Sequence, residues 1–464
     1  MPPTRVPTPT PATPPRSGPG STGAGLRRGF PAFRYPNYRL YFVGQFVSVT
    51  GTWIQTLALS WLVVDGLNGS AVQLGLVSVC QFAPVLLFGL PAGVVADRVP
   101  RRNLLTTTAM LSGILAAALA VLVATDTVQL WHVYLLALGL GVVNAFDMPA
   151  RQAFVSEMVG KADLMNAVAL NSALFNAGRV VGPGIAGLLL ATYGSALCFG
   201  LNAASYLAVV AAMLLMRLAP VERAGDGQAL EHLKEGLTYV RSTPAVLLPI
   251  VLVGCVATFG MNFNVWIPVL AKEDFGSGAR GFGLLMSSMG IGSLLGALGL
   301  AYFGRQPRRR LMIGTALGLG VLEGALALAG AMSTPLLVAI PVLAGIGFTV
   351  STTMALANTT VQTTAPDALR GRVMSVYMTV FAGTAPFGSL VAGATANLGG
   401  APLSVAVGGT VTLLAALAIG ARGRLLEQGA QIQSHPEPTS LPGSLPPRPI
   451  RRSATTAPRL SGDE

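Results

Sequence analysis

The sequence has little charge and few of the residues that enzyme chemistry needs. Lys and Arg number 30 and Asp and Glu 18, together 10% of 464 residues, whereas a soluble domain usually carries about 25%. The three cysteines and three histidines show no metal-ligand spacing, and no Ser/His/Asp or paired-carboxylate arrangement is visible. A soluble globular protein is therefore excluded, and we expect no disulfide, no metal, no cofactor and no enzyme activity.

Long apolar segments take the place of the missing charge. Hydrophobic residues make up 52% of the chain, and about 20 apolar residues in a row suffice to cross a bilayer core. Lipid offers no partner for unpaired backbone groups, so such segments are expected to be helices. The sequence thus predicts an all-α membrane protein with twelve transmembrane helices. The predicted spans are 40–64, 71–95, 104–124, 129–148, 165–190, 197–216, 245–270, 281–303, 311–331, 335–357, 373–396 and 402–421.

The positive charges lie on one side of these spans. Of the 30 Lys and Arg residues, 27 fall in the tails or in alternate gaps; only Lys272 and Arg280 fall in the other gaps, and only Arg179 lies within a span. Because cytoplasmic loops carry the positive charge, we predict a multi-pass membrane protein with both termini cytoplasmic. The net charge of +12 then reflects contact with anionic lipid head groups, and not binding of nucleic acid.

Composition divides the chain further. Residues 1–29 and 423–464 are rich in Pro and Arg and are predicted to be disordered cytoplasmic tails; the first lacks the apolar core of a signal peptide. Residues 217–244 form the longest internal loop. Its leucines and valine recur at helical spacing, which predicts an amphipathic helix along the cytoplasmic surface, linking two halves. These apolar positions are Leu230, Leu233, Leu237 and Val240.

The two halves, 30–216 and 245–422, resemble each other. Residues 98–109 read RVPRRNLLTTTA and residues 305–316 read RQPRRRLMIGTA, an offset of 207. Nearly the same offset matches glycines across about 100 residues, for example Gly89 with Gly296. Two six-helix repeats with the same in-out sense favour alternating access around a site at the membrane midplane.

The loop after span 2 carries a motif, Gly93-Val-Val-Ala-Asp97-Arg98-Val-Pro-Arg101-Arg102. A carboxylate and three guanidiniums lie within six residues at the predicted cytoplasmic edge. A plain positive-inside signal would explain the arginines, but not Asp97 or the glycines. The motif therefore holds more than a topology signal.

This motif resembles the signature G-x-x-x-D-R-x-G-R-R/K of the major facilitator superfamily, with Pro100 at the usual second glycine. The resemblance implies the major facilitator fold. It also implies that the motif is a conformational latch, in which Asp97 meets the cytoplasmic end of span 11 and stabilises the outward-facing state. Arg370 and Arg372 at that end could add charge-assisted hydrogen bonds.

Span 5 contains a second motif, whose key residues are Gly178, Gly182, Pro183 and Gly187. It looks like the antiporter motif of the same superfamily, G-x-x-x-G-P-x-x-G, slightly displaced. That resemblance implies export in exchange for protons. The alternative is helix packing alone, because glycines four residues apart allow close approach and proline bends the helix.

Residues 144–176 resemble the enterobactin-exporter-like branch of the superfamily and related macrolide and drug efflux proteins. This similarity implies a secondary transporter of the bacterial inner membrane that exports hydrophobic or amphipathic small molecules. We expect it to be a monomer. Two alternatives stay open: a dedicated exporter of a siderophore or other secreted metabolite, and a membrane scaffold or sensor that transports nothing. No ATP-binding G-x-x-x-x-G-K-[ST] loop is present.

Three ionisable residues are candidates for proton coupling. Arg179 lies deep in span 5, where an unpaired Arg costs at least about 2.5–3.5 kcal/mol. Asp147 and Glu323 are its candidate counter-ions and proton carriers; a purely structural ion pair is the alternative. Span 4 lacks the Arg that many related antiporters carry there, within R-x-x-x-G.

Span 1 carries a polar stripe that either lines a substrate cavity or bonds to a neighbouring helix, and we favour the cavity because a lipid-facing stripe is costly. Span 7 offers polar residues at the symmetry-related position. Aromatic residues nearby would give an uncharged lining suited to amphipathic molecules. The cavity candidates are Gln45, Ser48, Thr52, Gln55, Asn262 and Trp266, with Thr258, Phe46, Trp53, Phe263 and Phe381 near them.

Overall fold

A computed structural model describes residues 30–217, 229–303 and 309–434. The tail 1–29, the tail beyond residue 434 and the loop segments 218–228 and 304–308 lie outside the described residues. The predictions of disorder for the tails therefore concern residues that are mostly not described. Within the described part every regular element is a helix. Residues up to Gly420 form one compact unit, and a second unit begins at Ala421.

The helices are long and apolar enough to cross a membrane. The described residues contain eleven such segments, and the last, Arg370–Arg422, has 53 residues. As one helix it would be about 80 Å long, more than twice the hydrocarbon core. It breaks at Gly399 and Gly400, where helical backbone angles are lost, so it forms two spans, 370–399 and 401–420. The prediction of twelve spans in an all-helical membrane fold is confirmed.

The remaining spans have the following bounds, in order from span 1 to span 10. They are Pro36–Gly66, Ala71–Arg98, Arg101–Ala124, Leu130–Gly160, Ala162–Tyr193, Ser195–Leu215, Pro244–Asp274, Gly278–Phe303, Arg309–Ala331 and Leu336–Thr364. Spans 4 and 5 meet at Gly160, whose φ of 66° ends the first helix. We call the membrane face at which span 1 begins the basic side, and the opposite face the far side.

Span 4 is about twelve residues longer than the predicted 129–148 and includes Arg151. Sequence reasoning placed this arginine in a loop because it ends the apolar run. In the structure Asp147 accepts hydrogen bonds from Arg151 Nε and from Thr108 Oγ1, each at 2.8 Å. The helix continues because the arginine is paired one turn away from its carboxylate.

Span 7 is not a continuous α-helix. It runs from Pro244 to Cys255, widens into a π-helical turn at Val256–Gly260, and resumes at Phe263. Asn262 Nδ2 donates to the Thr258 carbonyl oxygen at 2.7 Å, which pairs one backbone group that the break releases. Interrupted helices near the midplane are common where transporters bind substrate or ions.

Equivalent hydrogen bonds recur in the two halves at the sequence offset. In the first half Arg102 Nε donates to the Met213 carbonyl at 2.6 Å; in the second, Arg309 donates to the Gly420 carbonyl at 3.5 Å. Thr108 bonds to Asp147 between spans 3 and 4. In the same way Thr353 bonds to Thr315 between spans 9 and 10, at 2.8 Å.

The start of span 1 is tied to the start of span 5. Tyr38 donates its hydroxyl hydrogen to the Ala167 carbonyl at 3.0 Å, and the backbone N–H of Ala32 donates to Asn166 Oδ1 at 3.1 Å. Tyr35, just outside span 1, donates to Asp163 Oδ2 at 3.0 Å, and that bond raises the pKa of the Tyr35 hydroxyl. Asn166 and Ala167 belong to the segment 144–176 that resembles the enterobactin-exporter-like branch, and here they hold the start of span 1 against span 5.

Candidate transport site and its gates

The two halves touch closely on the far side through glycines. A Cβ placed on Gly187 of span 5 would lie 2.7 Å from the Cα of Gly283 in span 8. Between spans 2 and 11, a Cβ on Gly75 would lie 2.5 Å from the Ser389 carbonyl oxygen. Only glycine allows backbones to approach this closely. The far side is therefore closed in this structure.

A polar contact reinforces the same closure. Lys272, at the end of span 7, donates from Nζ to the Val64 carbonyl at 2.8 Å and to Asn68 Oδ1 at 3.2 Å. Its Nζ also lies 3.4 Å from Asp65 Oδ1. One of the two cations that broke the charge pattern thus joins the second half to the end of span 1.

On the basic side the halves do not close in the same way. A Cβ on Gly89 or Gly93 of span 2 would have nothing within 4 Å. Leu87 beside them is 70% exposed, and Met165 near the start of span 5 is 82% exposed. The two halves are therefore in close contact on the far side, whereas on the basic side no described residue packs against the Gly89 and Gly93 face of span 2.

The predicted latch residues bond within the first half. Arg101 bridges Asp97 Oδ1 at 3.0 Å and Glu157 Oε1 at 2.5 Å. Arg102 donates from Nε to the Met213 carbonyl, and so caps the end of span 6. The side chain of Asp97 is 56% exposed, and none of its described bonds reaches span 11.

The arginines at the start of span 11 have other partners. Arg370 pairs with Asp367 at 2.5 Å and donates to the Gln362 carbonyl at 3.0 Å. Arg372 forms an ion pair with Glu235 of the linker helix, Ala229–Ser242. That helix packs on span 11, where Gly236 meets the Arg372 backbone. In this state the linker helix, and not Asp97, holds Arg372.

The glycines of the second motif pack span 5 against span 1. A Cβ on Gly178 would lie 2.8 Å from Val49 Cγ1, and one on Gly182 would lie 2.5 Å from Trp53 Cβ. Pro183 lies at the contact between spans 5 and 8, as Gly187 does. Its carbonyl oxygen would be 2.9 Å from a Cβ on Gly283. The motif thus packs span 5 between spans 1 and 8, as expected if its glycines serve helix packing. The antiporter role implied by the resemblance remains a prediction.

The three coupling candidates do not meet. Asp147 is paired with Arg151. Arg179 has no carboxylate within 4 Å among the described residues, and its Nε is buried without an acceptor. Glu323 in span 9 is 1% exposed, and neither of its carboxylate oxygens has a hydrogen-bond partner.

Glu323 faces the break in span 7. A Cβ on Gly260 would lie 3.2 Å from Glu323 Oε1 and 2.9 Å from Thr412 Oγ1 of span 12, a second buried atom without a partner. On the other side, a Cβ on Gly409 would lie 2.9 Å from Glu323 Cβ. The Glu323 carboxyl group and the Thr412 hydroxyl therefore lie close together in the interior of the second half, beside Gly260.

The polar stripe of span 1 is mostly buried within the first half. Gln45, Ser48 and Gln55 are buried, whereas Thr52 is exposed. Gln55 Oε1 accepts a hydrogen bond from Asn202 Nδ2 of span 6 at 2.7 Å, the second of the two alternatives for the stripe. Gln45 lines a cavity of about 230 Å³ between spans 1, 4 and 5.

The candidates on span 7 are buried as well. Asn262 bonds to its own helix, and Trp266, 2% exposed, packs edge-to-face on Phe263 with ring centroids 5.2 Å apart. Exposed aromatic surface lies instead on span 1 at Phe46 and on span 5 at Phe175. The assignment of the span 1 stripe, and of Asn262 and Trp266, to the substrate cavity stays a prediction.

Comparison with known proteins identifies the family. Residues 28–443 match the family model described as transmembrane secretion effector, of the major facilitator type. The chain belongs to this family. The match covers both halves and all twelve spans, so the resemblance seen in the loop after span 2 extends to the whole fold.

Curated relatives of this chain include efflux proteins. The chain is 32% identical over 365 residues to the multidrug efflux pump Tap of Mycolicibacterium fortuitum, covering 75% of this chain and 87% of that protein. It is 28% identical over 345 residues to the enterobactin exporter EntS of Escherichia coli O1:K1, covering 74% and 81%. Among solved structures, the D-xylose-proton symporter superposes with a TM-score of 0.68 at 14% identity, covering 83% and 97%. That likeness establishes the fold alone.

The chain is therefore a multi-pass membrane transporter of the efflux type, and not an enzyme. Sequence reasoning missed the Lys272 contact, the break in span 7 and the close approach of Gly187 to Gly283. Two signals were available: Lys272 is an isolated cation on the otherwise uncharged side, and Gly260-Met-Asn262 interrupts an apolar helix.

Proposed function

We propose that this transporter exports hydrophobic or amphipathic small molecules, such as drugs and macrolides, across the bacterial inner membrane in exchange for protons. The multidrug pump and the enterobactin exporter among its relatives support this substrate range. Exposed aromatic side chains on spans 1 and 5, Phe46 and Phe175, support an apolar binding surface.

The positive-inside rule places the basic side in the cytoplasm, with both termini there. With the far side closed and the basic side open, the described state is then inward-facing. Export requires the glycine and Lys272 contacts to separate while the basic side closes. We further propose that Asp97 approaches the start of span 11 in that outward-facing state, and that the linker helix then releases Arg372.

The observation that supports proton coupling is the burial of the Glu323 carboxyl group without a hydrogen-bond partner among the described residues. A carboxylate whose two oxygens are buried without donors is strongly unfavourable when ionised, so Glu323 is stable in this state with its proton bound. The groups around it on spans 7 and 12 are Gly260, Gly409 and Thr412, and no charged side chain lies within 4 Å among the described residues. Asp147 is a weaker candidate because Arg151 already balances it.

Coupling would follow from the position of Glu323 behind the break in span 7. Loss of the proton creates a charge that needs water or a donor. A shift of the π-helical turn at Val256–Gly260 could supply either. Span 7 carries Lys272 at its far end, so the same movement would reach the far-side contact. We propose that the transporter works as a monomer, since each half contributes to both gates.

The test is cellular accumulation of lipophilic dyes and antibiotics in an efflux-deficient host, with and without a protonophore. We expect lower accumulation in cells that contain the transporter, an effect that the protonophore abolishes. Glu323→Gln should remove the effect with normal protein in the membrane. Asp126→Asn, which neutralises an exposed loop carboxylate, is the matched control and should act like wild type. Export by Glu323→Gln that still depends on the proton gradient would reject Glu323 as the proton carrier.

A second candidate is a dedicated exporter of a siderophore or another secreted metabolite. The similarity to EntS, and to the staphyloferrin A transporter of Staphylococcus aureus at 27% identity over 261 residues, favours it. If no dye or antibiotic changes in accumulation, secreted metabolites of a deletion strain should be compared with those of its parent. A missing metabolite that returns on complementation would support this candidate.

A further inference from the structure

Arg179 lies where the two halves begin to separate. Its backbone carbonyl oxygen would lie 2.8 Å from a Cβ on Gly290 of span 8, so the helices touch at this level. Toward the cytoplasm, Val168 of span 5 and Leu295 of span 8 are both exposed. Helical side chains tilt toward the N-terminus of their helix, and for span 5 that end is cytoplasmic. From the level at which the two halves touch, the Arg179 side chain is therefore expected to extend toward the cytoplasm, where the halves are apart.

This cation has no ion-pair or hydrogen-bond partner among the described residues. No described carboxylate lies within 4 Å of it, and its Nε is buried without an acceptor. Asp147 is paired with Arg151, and no cation of the described residues contacts Glu323. A desolvated guanidinium without a counter-ion is unfavourable, and carboxylate is the group that its planar donors fit best.

The surface next to Arg179 is aromatic. Phe175, one helical turn toward the cytoplasm, is 52% exposed. It packs edge-to-face on Trp53 of span 1, with ring centroids 5.5 Å apart. Phe46 lies two turns below Trp53 on span 1 and is also exposed. A single cation at the end of an aromatic surface matches a ligand with an apolar body and one acidic group.

We propose that Arg179 binds the carboxylate of an amphipathic aromatic acid, and that such acids are substrates of this transporter. The inference rests on the proposed export function and narrows its substrate class. Phe175 and Trp53 would contact the aromatic body while the guanidinium takes the acid. Neutral compounds could still bind the aromatic surface, so the charge adds selectivity between otherwise similar molecules.

The test compares two probes that differ only in charge, 1-naphthaleneacetate and its primary amide. Binding to the purified full chain in neutral-lipid nanodiscs is measured by calorimetry. We expect the acid to bind at least about tenfold more tightly than the amide. Arg179→Gln should remove this preference while amide binding persists. Arg179→Lys should keep part of it, since the charge remains without the planar donor pair.

Arg217→Gln, which removes an exposed cation at the end of span 6, is the control and should keep the full preference. Equal affinities for acid and amide in the wild type would overturn the proposal. So would a preference that survives in Arg179→Gln, or no binding of either probe. If proton-dependent efflux of neutral dyes is seen in the cellular accumulation assay while the binding test fails, the export function stands and this inference is wrong. Arg179→Lys also guards against a folding defect in the glutamine variant.

Discussion

A methyl group at Gly187 should open the far side. The Cβ of an alanine there would lie 2.7 Å from Gly283 Cα and 3.1 Å from the Ala279 carbonyl oxygen, whereas non-bonded carbons prefer about 3.5–4.0 Å. The clash is with backbone atoms, so no side chain can rotate away, and spans 5 and 8 must separate by about 1 Å. Overpacking of this kind costs about 1–3 kcal/mol. The inward-facing state should then lose roughly 5- to 150-fold in population relative to the outward-facing state.

The assay is the distance between spin labels at Tyr193 and Met332, exposed far-side residues of opposite halves. Labels are attached to cysteines introduced at these two positions in a variant without native cysteines. The distances are measured by double electron–electron resonance. Gly187→Ala should add or enlarge a long-distance population. Gly200→Ala is the matched control, because a Cβ on Gly200 would have nothing within 4 Å. Identical distributions for Gly187→Ala and wild type would refute the glycine contact as the far-side gate.

Three further substitutions test other contacts. Lys272→Met should also favour far-side opening, but by at most about fivefold, because Asp65 and Lys272 are partly solvated; an unchanged label distance would contradict this. Gln55→Leu should lower the melting temperature in detergent, because it leaves the buried Asn202 amide without an acceptor. The loss should reduce the free energy of unfolding by about 1–3 kcal/mol. Asp97→Asn should slow efflux at unchanged protein level; full efflux would exclude the latch.

Much of the fold follows from the sequence because the membrane restricts the alternatives. Apolar length and the placement of cations are sufficient to find twelve helices. The offset of 207 also anticipates paired contacts, such as those of Arg102 and Arg309. Span 4 was predicted too short because a paired charge looks like a loop residue when its partner's position is unknown.

The candidate site is harder to predict from the sequence. Helical spacing shows which residues share a face of a helix, but not which other helix that face contacts. The stripe that includes Gln55 was correctly placed on one face of span 1, yet Gln55 bonds to Asn202 of span 6. In the same way, Glu323 and Arg179 stand out as buried ionisable residues in apolar helices. Only the fold shows that they lie apart and that each lacks a partner among the described residues.

Proton exchange in a purified system tests the account most directly. Proteoliposomes should accumulate a fluorescent substrate when a pH gradient is imposed, and a substrate gradient should in turn move protons. Glu323→Gln should abolish both effects while probe binding persists. Substrate movement in the wild type that ignores the pH gradient, or unchanged coupling in Glu323→Gln, would contradict the proposed mechanism.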